Sequence, residues 1–426
     1  MLTNSRYRRL TLLLTCVVAN LLVSFYAIAA LLSLTRLSET DQRSDDRRSL
    51  TSTPGTSRHS PVTLWTAGEV RTGRRWRYDR LTYRGYVLEP PDASEGRYCD
   101  GLVPANQTVL ILVCSAVENI DRRKAIRSTW GDRSLLAAVG ARLVFVVART
   151  DPARSPPGIQ RRVVAEHRRQ GDVVQADFID SYVNLTTKTL SALRWATRAC
   201  PRVRYVMKCD DDVYVDVAAL TRRLEDERTT QTSTFGVDDE SASAFIIGQV
   251  VDAARPVRDR RSKWYTPVSI YPAEFYPPYT SGTGYVLGAS VLRRLEALLD
   301  AKAGVVRPFW LEDVFVTGML AASLPDVRLI HDARFNFRPT QRVRGKRHRP
   351  GSVAGGQSNN IEDDDEEACA YRDAITVHDL TPTELIDLFK RLRRRRSVAS
   401  HCTNDTQEPD NSNSDDEQQY SDISLQ

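Results

Sequence analysis

Short apolar runs separated by stretches of helical spacing constrain this chain more than any other feature. Val109-Leu-Ile-Leu-Val-Cys-Ser115 is almost wholly apolar, the pattern expected of a strand covered on both faces. A second run spans Arg142 to Ala148, and a third, Val203-Arg-Tyr-Val-Met207, leads into Asp210, Asp211 and Asp212. Between the first two lies a basic helical segment, Arg122 to Trp130. Asn184 to Ala199 sets Leu185, Leu190, Leu193 and Ala196 on one helical face, and another helix is expected from Val217 to Glu227. Further strands are expected at Ala244–Val251, Gly284–Ala289 and Val327–His331, and a last helical stretch at Ala368–Arg393. Strands alternating with helices predict an α/β fold with a mostly parallel central sheet. Ligands of such sheets sit beyond the carboxyl ends of the strands, where the three aspartates fall.

Strand alternation sends Asp210 and Asp212 to one side and Asp211 to the other. Two carboxylates at a strand tip suit a hard divalent cation carrying substrate phosphates; a solvated acidic loop is the plainer alternative. A second acidic pair, Glu312 and Asp313, opens the apolar helical stretch Val314–Ala322. Carboxylates there answer the helix macrodipole, or one of them accepts a proton from an attacking hydroxyl. Tyr276-Pro-Pro-Tyr-Thr-Ser-Gly-Thr-Gly-Tyr285 combines stiff prolines with Gly282 and Gly284, which permit backbone geometries closed to other residues. It reads equally as a sugar-approaching segment or a tight turn before a strand.

The flanks look different. Leu10 to Leu34 is uncharged and exceeds the roughly 20 residues that span a bilayer. Arg6, Arg8 and Arg9 precede it, which predicts a cytoplasmic tail over 1–9, a transmembrane signal-anchor over 10–34 and everything beyond on the lumenal side. A cleaved signal peptide ending near Ala27-Ile-Ala29 is the alternative, with an apolar region about twice the usual length. Residues 35–104 read as a stem, 105–400 as the globular domain, 341–367 as a flexible insertion and 401–426 as a disordered acidic tail. Sequons at Asn106, Asn184 and Asn404 agree with a lumenal location. Seven cysteines include Cys16 in the apolar run; Cys114 and Cys209, inside strand-like runs, read either as disulfide partners or as buried thiols. Sixty Lys and Arg against 54 Asp and Glu leave a formal charge of +6. Without a reading motif tied to a basic face, that balance gives no support to a nucleic-acid partner.

Six ordered blocks together resemble the lumenal β-1,3-glycosyltransferases, the galactosyl- and N-acetylglucosaminyltransferases of the Golgi. They are Arg123-Lys-Ala-Ile-Arg-Ser-Thr-Trp-Gly131, Asp177 to Lys188, Lys208 to Asp212, Tyr276 to Val286, Glu312 to Gly318, and the segment Asp373 to Leu385. The resemblance covers about Cys99–Pro339 and resumes around Cys369–Leu392. It implies a single-pass type II Golgi membrane enzyme with a GT-A-like nucleotide-sugar-binding fold. The implied reaction transfers galactose from UDP-galactose, or N-acetylglucosamine from its UDP donor, to a glycan hydroxyl with inversion. An inactive lumenal chaperone or lectin relative is the reading from another class.

By position, the resemblance makes Asp212 and Asp210 ligands of Mn²⁺ on the donor diphosphate, with Asp210 also able to meet the ribose and Asp211 beside them. It has His378 completing the metal site, with His331 as the weaker alternative. Asp313 is the expected base and Glu312 the fallback, Arg127 and Lys188 steady the UDP, and Trp310 and Tyr279 flank the acceptor sugar. The chain departs from the pattern at Met319-Leu-Ala-Ala322, where members often carry a cysteine.

Overall fold

A computed structural model describes residues 85–103, 108–235, 243–301, 308–335, 371 and 373–397. The tail, signal-anchor, insertion and acidic-tail expectations lie outside these residues, as do residues 35–84 of the expected stem. Among the described residues no helix is long and apolar enough to cross a membrane.

Eight strands form one sheet: β1 (Tyr86–Leu88), β2 (Val109–Cys114), β3 (Ala141–Arg149), β4 (Val173–Ile179), β5 (Tyr205–Asp210), β7 (Phe245–Val251), β8 (Tyr279–Gly288) and β9 (Arg328–His331). Their order is β1-β4-β3-β2-β5-β8-β7-β9. The block β4-β3-β2-β5 is parallel throughout, as is the β7–β9 pair. β8 runs against both β5 and β7, and β1 against β4. The sheet is thus mostly parallel, with a reversed strand beside the aspartate strand. Two short strands, β6 (Tyr214–Val215) and β10 (Thr376–Val377), pair separately and antiparallel.

Helices cover both faces, which is why every residue of β2 is buried. Val109, Ile111 and Val113 point into a core shared with α1 (Ile120–Arg127), α3 (Ile159–Gln170), α5 (Val217–Phe235) and α7 (Pro382–Ser397). Leu110 and Leu112 point the other way, toward α4 (Leu185–Ala199), α6 (Ala289–Ala301) and a π-helical turn, Val314–Leu320. The short α2 (Arg133–Ala137) is capped by Asp132, whose side chain accepts from the Ser134 and Leu135 amides.

The expected strands form, and three expectations change. The final helix does not begin at Ala368: β10 occupies Thr376–Val377, and α7 starts at Pro382, where Thr381 and Glu384 exchange backbone and side-chain hydrogen bonds. Gly282 and Gly284 do not adopt left-handed backbone; both lie within β8, which runs on from Tyr279, and serve close approach instead. The stretch after Asp313 is π-helical and then 3-10, not α. Cys99 and Cys200 form a disulfide, while Cys114 and Cys209 are buried free thiols.

Candidate active site

β5 ends on Asp210, and the chain turns there through Asp211 and Asp212. Asp211 folds inward, where it accepts hydrogen bonds from Ser115 Oγ at 2.6 Å and Asn119 Nδ2 at 2.9 Å. Ser115 in turn takes a bond from the fully buried Arg123, whose guanidinium also holds the Ala116 and Val117 carbonyls and pairs with Glu166. Arg123 therefore shapes the loop after β2 from beneath. The sequence reading gave it no role beyond its motif, although a buried arginine that must meet several acceptors is a signal of that kind.

Asp212 keeps only distant compensation. Arg122 lies 3.6 Å from it and 3.8 Å from Asp211. Burial, then the neighbouring Asp210, pushes the Asp212 carboxyl up to about 6. The segment after β10 packs on this turn, where the Leu380 amide donates to the Asp212 carbonyl at 3.0 Å; His378, half-buried, lies two residues before Leu380. His331 ends β9, the outer strand, and accepts from the Val250 amide. With β8 and β7 intervening, it stands about 14 Å from β5 by strand spacing and does not belong to the site.

The second acidic pair meets the first through one lysine. Lys208 is fully buried in β5; its ammonium reaches Asp210 at 2.8 Å, the Gly282 carbonyl at 2.6 Å and Glu312 at 3.1 Å. Burial opposes its charge, yet Asp210 and Glu312 together hold it well above the ordinary lysine range. Glu312 is buried, and its other oxygen accepts from the Tyr285 hydroxyl at 2.6 Å. With both oxygens occupied, Glu312 is poorly placed to take a substrate proton, so the fallback base is better described as the counter-ion of Lys208.

Asp313 is half-buried, and its carboxylate is oriented by the Gly282 amide at 3.1 Å and the Val314 amide at 2.9 Å. Gly282 must be bare: a Cβ there would meet Asp313 Oδ2 at 3.2 Å and Asp313 Cβ at 3.3 Å. Burial raises the Asp313 carboxyl, against its backbone hydrogen bonds and Lys208. A half-buried carboxyl raised in this way is suited to accepting a proton. Asp210 and Asp313 are thus joined through Lys208 and Gly282 of β8, which draws the two acidic clusters together.

The cationic residues divide. Lys188, in the first turn of α4, bonds the Ser115 carbonyl at 2.9 Å and Asp180 at 2.7 Å, so it supports the strand tips from within. Arg127 does not reach them. It is held by Asp172 and Glu166 and lies over the Phe145 ring. Asp172 precedes β4 and so marks the opposite end of the parallel strands from Asp210. Trp310 packs on Phe309, and Tyr279 meets Tyr276 edge-on; both are half-buried. Asn184 spends its side-chain amide on the Ile179 carbonyl, and the hydroxyl of Thr186 is buried against the Phe309 carbonyl.

Among the described residues no group of three His, Cys, Asp or Glu side chains is arranged to hold a metal ion. Asp210, paired with Lys208, and Asp212, with Arg122 no closer than 3.6 Å, nevertheless offer hard oxygen donors. Cations that bind through one or two carboxylates plus phosphates and water need no more from the protein.

A family model described as Galactosyltransferase matches residues 121–332, a span that contains both acidic clusters. A β-1,3-N-acetylglucosaminyltransferase 7 of Rattus norvegicus, described as UDP-GlcNAc:betaGal, is 31% identical over 315 residues, covering 73% of this chain and 68% of the relative. Beta-1,3-galactosyltransferase 1 of Homo sapiens is 30% identical over 305 residues, 72% of this chain and 79% of the relative. A solved glycosyltransferase involved in glycosylation of the major capsid of PBCV-1 aligns at a TM-score of 0.30 and 11% identity, over 66% of this chain and 98% of its own. The motif blocks and the two sequence relatives, at 31% and 30% identity, make the chain a member of the β-1,3-glycosyltransferase family, a hexosyltransferase.

Proposed function

We propose that the chain is an inverting, Mn²⁺-dependent β-1,3-galactosyltransferase of the GT-A kind. Its donor is UDP-galactose, and its acceptor is a glycan hydroxyl on a glycoprotein or glycolipid. The observation that carries this reading is Lys208, which knits the Asp210 tip to the Glu312–Asp313 segment. A donor held at the tip and a base at Asp313 would then face a common reacting carbon. Asp210 and Asp212 would hold the cation, with His378 beside them. When bound, such a cation supplies charge neutralisation at the diphosphate.

Asp313 takes the proton of the attacking hydroxyl as the acceptor oxygen adds to the anomeric carbon and the bond to UDP breaks on the opposite face. Its two backbone hydrogen bonds fix the carboxylate so that no reorientation is needed at that moment. Asp211, through Ser115 and Asn119, holds the turn that carries its neighbours. We place the enzyme in the Golgi membrane, anchored by residues 10–34 with the catalytic domain in the lumen.

UDP-N-acetylglucosamine is the competing donor, favoured by the similarity to the rat enzyme. Transfer from each UDP-sugar, measured on the full-length protein with Mn²⁺ and with chelator, separates the two. Galactose transfer that disappears with chelator and is lost in Asp212→Ala supports the proposal; preference for N-acetylglucosamine, or transfer indifferent to chelator, overturns the corresponding part.

A further inference from the structure

Ser115, the residue that ends the β2 run, is where three parts of the molecule meet beneath the aspartate turn. Its side chain lies between two charges of opposite sign. Arg123 Nη1 donates to Ser115 Oγ at 2.8 Å, and Ser115 Oγ lies 2.6 Å from Asp211 Oδ2. Arginine donates and never accepts, so the serine oxygen must be the acceptor toward Arg123, and its own proton goes elsewhere. Two acceptors are in reach: Asp211, and the Ala116 carbonyl at 3.2 Å. That carbonyl already takes Arg123 Nη1 at 2.6 Å, and a carboxylate makes the stronger, charge-assisted bond. The proton therefore points at Asp211.

Each partner is fixed in turn. The Arg123 guanidinium is fully buried, with Glu166 at 3.0 and 2.8 Å and the Val117 carbonyl at 3.2 Å. The Ser115 amide donates to the Val146 carbonyl of β3 at 3.0 Å, and its own carbonyl accepts from Lys188 of α4 at 2.9 Å. Across the β2–β5 pair Cys114 stands opposite Asp210, so the next step along each chain sets Ser115 beside Asp211. Asn119 reaches the same Asp211 oxygen from the half-buried side at 2.9 Å, and Arg122 approaches the other oxygen no closer than 3.8 Å. Ser115 and Asp211 are 2% and 8% exposed, too little for water to replace the bond between them.

Three successive carboxylates repel one another, and the middle one stays inward only if donors below receive it. We propose that Ser115 is a positioning residue for donor binding. Arg123 directs the serine proton to Asp211, Asp211 is held inward, and the turn between Asp210 and Asp212 is set in advance for the cation and diphosphate. Ser115 touches neither donor nor acceptor. The arginine that opens the Arg123–Gly131 block thus acts on the donor side from two hydrogen bonds away. The inference rests on Asp210 and Asp212 as the residues that hold the cation.

Calorimetric titration of the full-length protein with UDP, in Mn²⁺ and in chelator, tests it, alongside the acceptor KM and the melting temperature. Ser115→Ala should weaken Mn²⁺-dependent UDP binding about tenfold and leave the acceptor KM nearly as it is. Asn119→Ala strips the same oxygen on its half-buried side, where water can take the place, and should cost less. Arg123→Lys cannot span Ser115, the loop carbonyls and Glu166 together. It should weaken UDP binding in the unaltered protein, and by a smaller factor once Ser115→Ala is present, because part of its action runs through that hydroxyl. UDP affinity unmoved in Ser115→Ala, or an acceptor KM that rises as far as UDP affinity falls, overturns the positioning role. An unaltered protein that binds UDP equally in Mn²⁺ and in chelator would sink the cation reading itself, and this inference with it.

Discussion

The two acidic clusters share Lys208 but are neutralised to different degrees, and that difference sorts their roles. In each, one carboxylate turns inward, Asp211 in the first and Glu312 in the second. Glu312 shares the Lys208 ammonium with Asp210, at 3.1 Å against 2.8 Å, and receives a phenol hydroxyl. Asp211 receives a serine hydroxyl and an amide, with Arg122 no closer than 3.8 Å. Asp212 has Arg122 at 3.6 Å. The tip at 210–212 therefore sets three carboxylates against Arg122 and a share of Lys208, whereas the pair at 312–313 has the other share, a phenol hydroxyl and two backbone amides. A place short of positive charge draws a cation and its diphosphate. A raised carboxyl oriented by backbone amides takes a proton.

The largest expected effect separates Asp313 from Glu312. Asp313→Asn should lower transfer by about 10²- to 10⁴-fold while Mn²⁺-dependent UDP binding persists. Glu312→Gln, which weakens the bond to Lys208 without emptying the space, should cost about tenfold at most. Measuring kcat and UDP affinity for both checks this, and equal losses would erase the distinction between base and counter-ion. Because burial raises the Asp313 carboxyl, the acid limb of the transfer rate should fall off at a pH above the ordinary aspartate range, and Asp313→Asn should abolish that limb.

Removing the shared cation comes next. Lys208→Met leaves Asp210 and Glu312 facing one another, with Glu312 buried. Breaking a buried ion pair from one side costs about 3–5 kcal/mol, so denaturant unfolding should show a loss of that order. Lys208→Arg, which keeps the charge, should lose less. An unaltered midpoint for Lys208→Met would mean that the clusters do not depend on each other.

Much of this was legible in the sequence, for a physical reason. Strands covered on both faces must be apolar throughout, so β2, β3 and β5 stand out. β4 was hidden because Gln175 interrupts its run: that side chain is fully buried, and its amide is satisfied by the Ala148 carbonyl and by Gln160. The reversal of β8 was equally invisible, since direction leaves no trace in composition. In the site, Asp210, Asp212 and Asp313 announced themselves as carboxylates at element ends. Lys208 did not, although a lysine inside Val206-Met207-Lys208-Cys209 has to find buried anions. Arg127 misled because its motif position says nothing about Asp172 and Glu166, which become its neighbours only in the folded chain.

The smallest effect has an unexpected sign, and it tests the charge shortage directly. The Asp212 carboxyl, ordinarily near 3.8, is raised to about 6 in the folded protein. Between those values the folded state binds more protons than the unfolded one, so stability falls as pH rises through the window, and the loss is complete above about 6. Asp212→Asn removes the ionisation. It should therefore raise the melting temperature at pH 7 by a few degrees and flatten the pH dependence across that window, even as Mn²⁺-dependent donor binding disappears. Excess Mn²⁺ with UDP should stabilise the unaltered protein and leave the variant where it is. A variant less stable than its parent at pH 7 would show that Arg122 already neutralises the tip, and the cleft would no longer have a reason to draw a cation there.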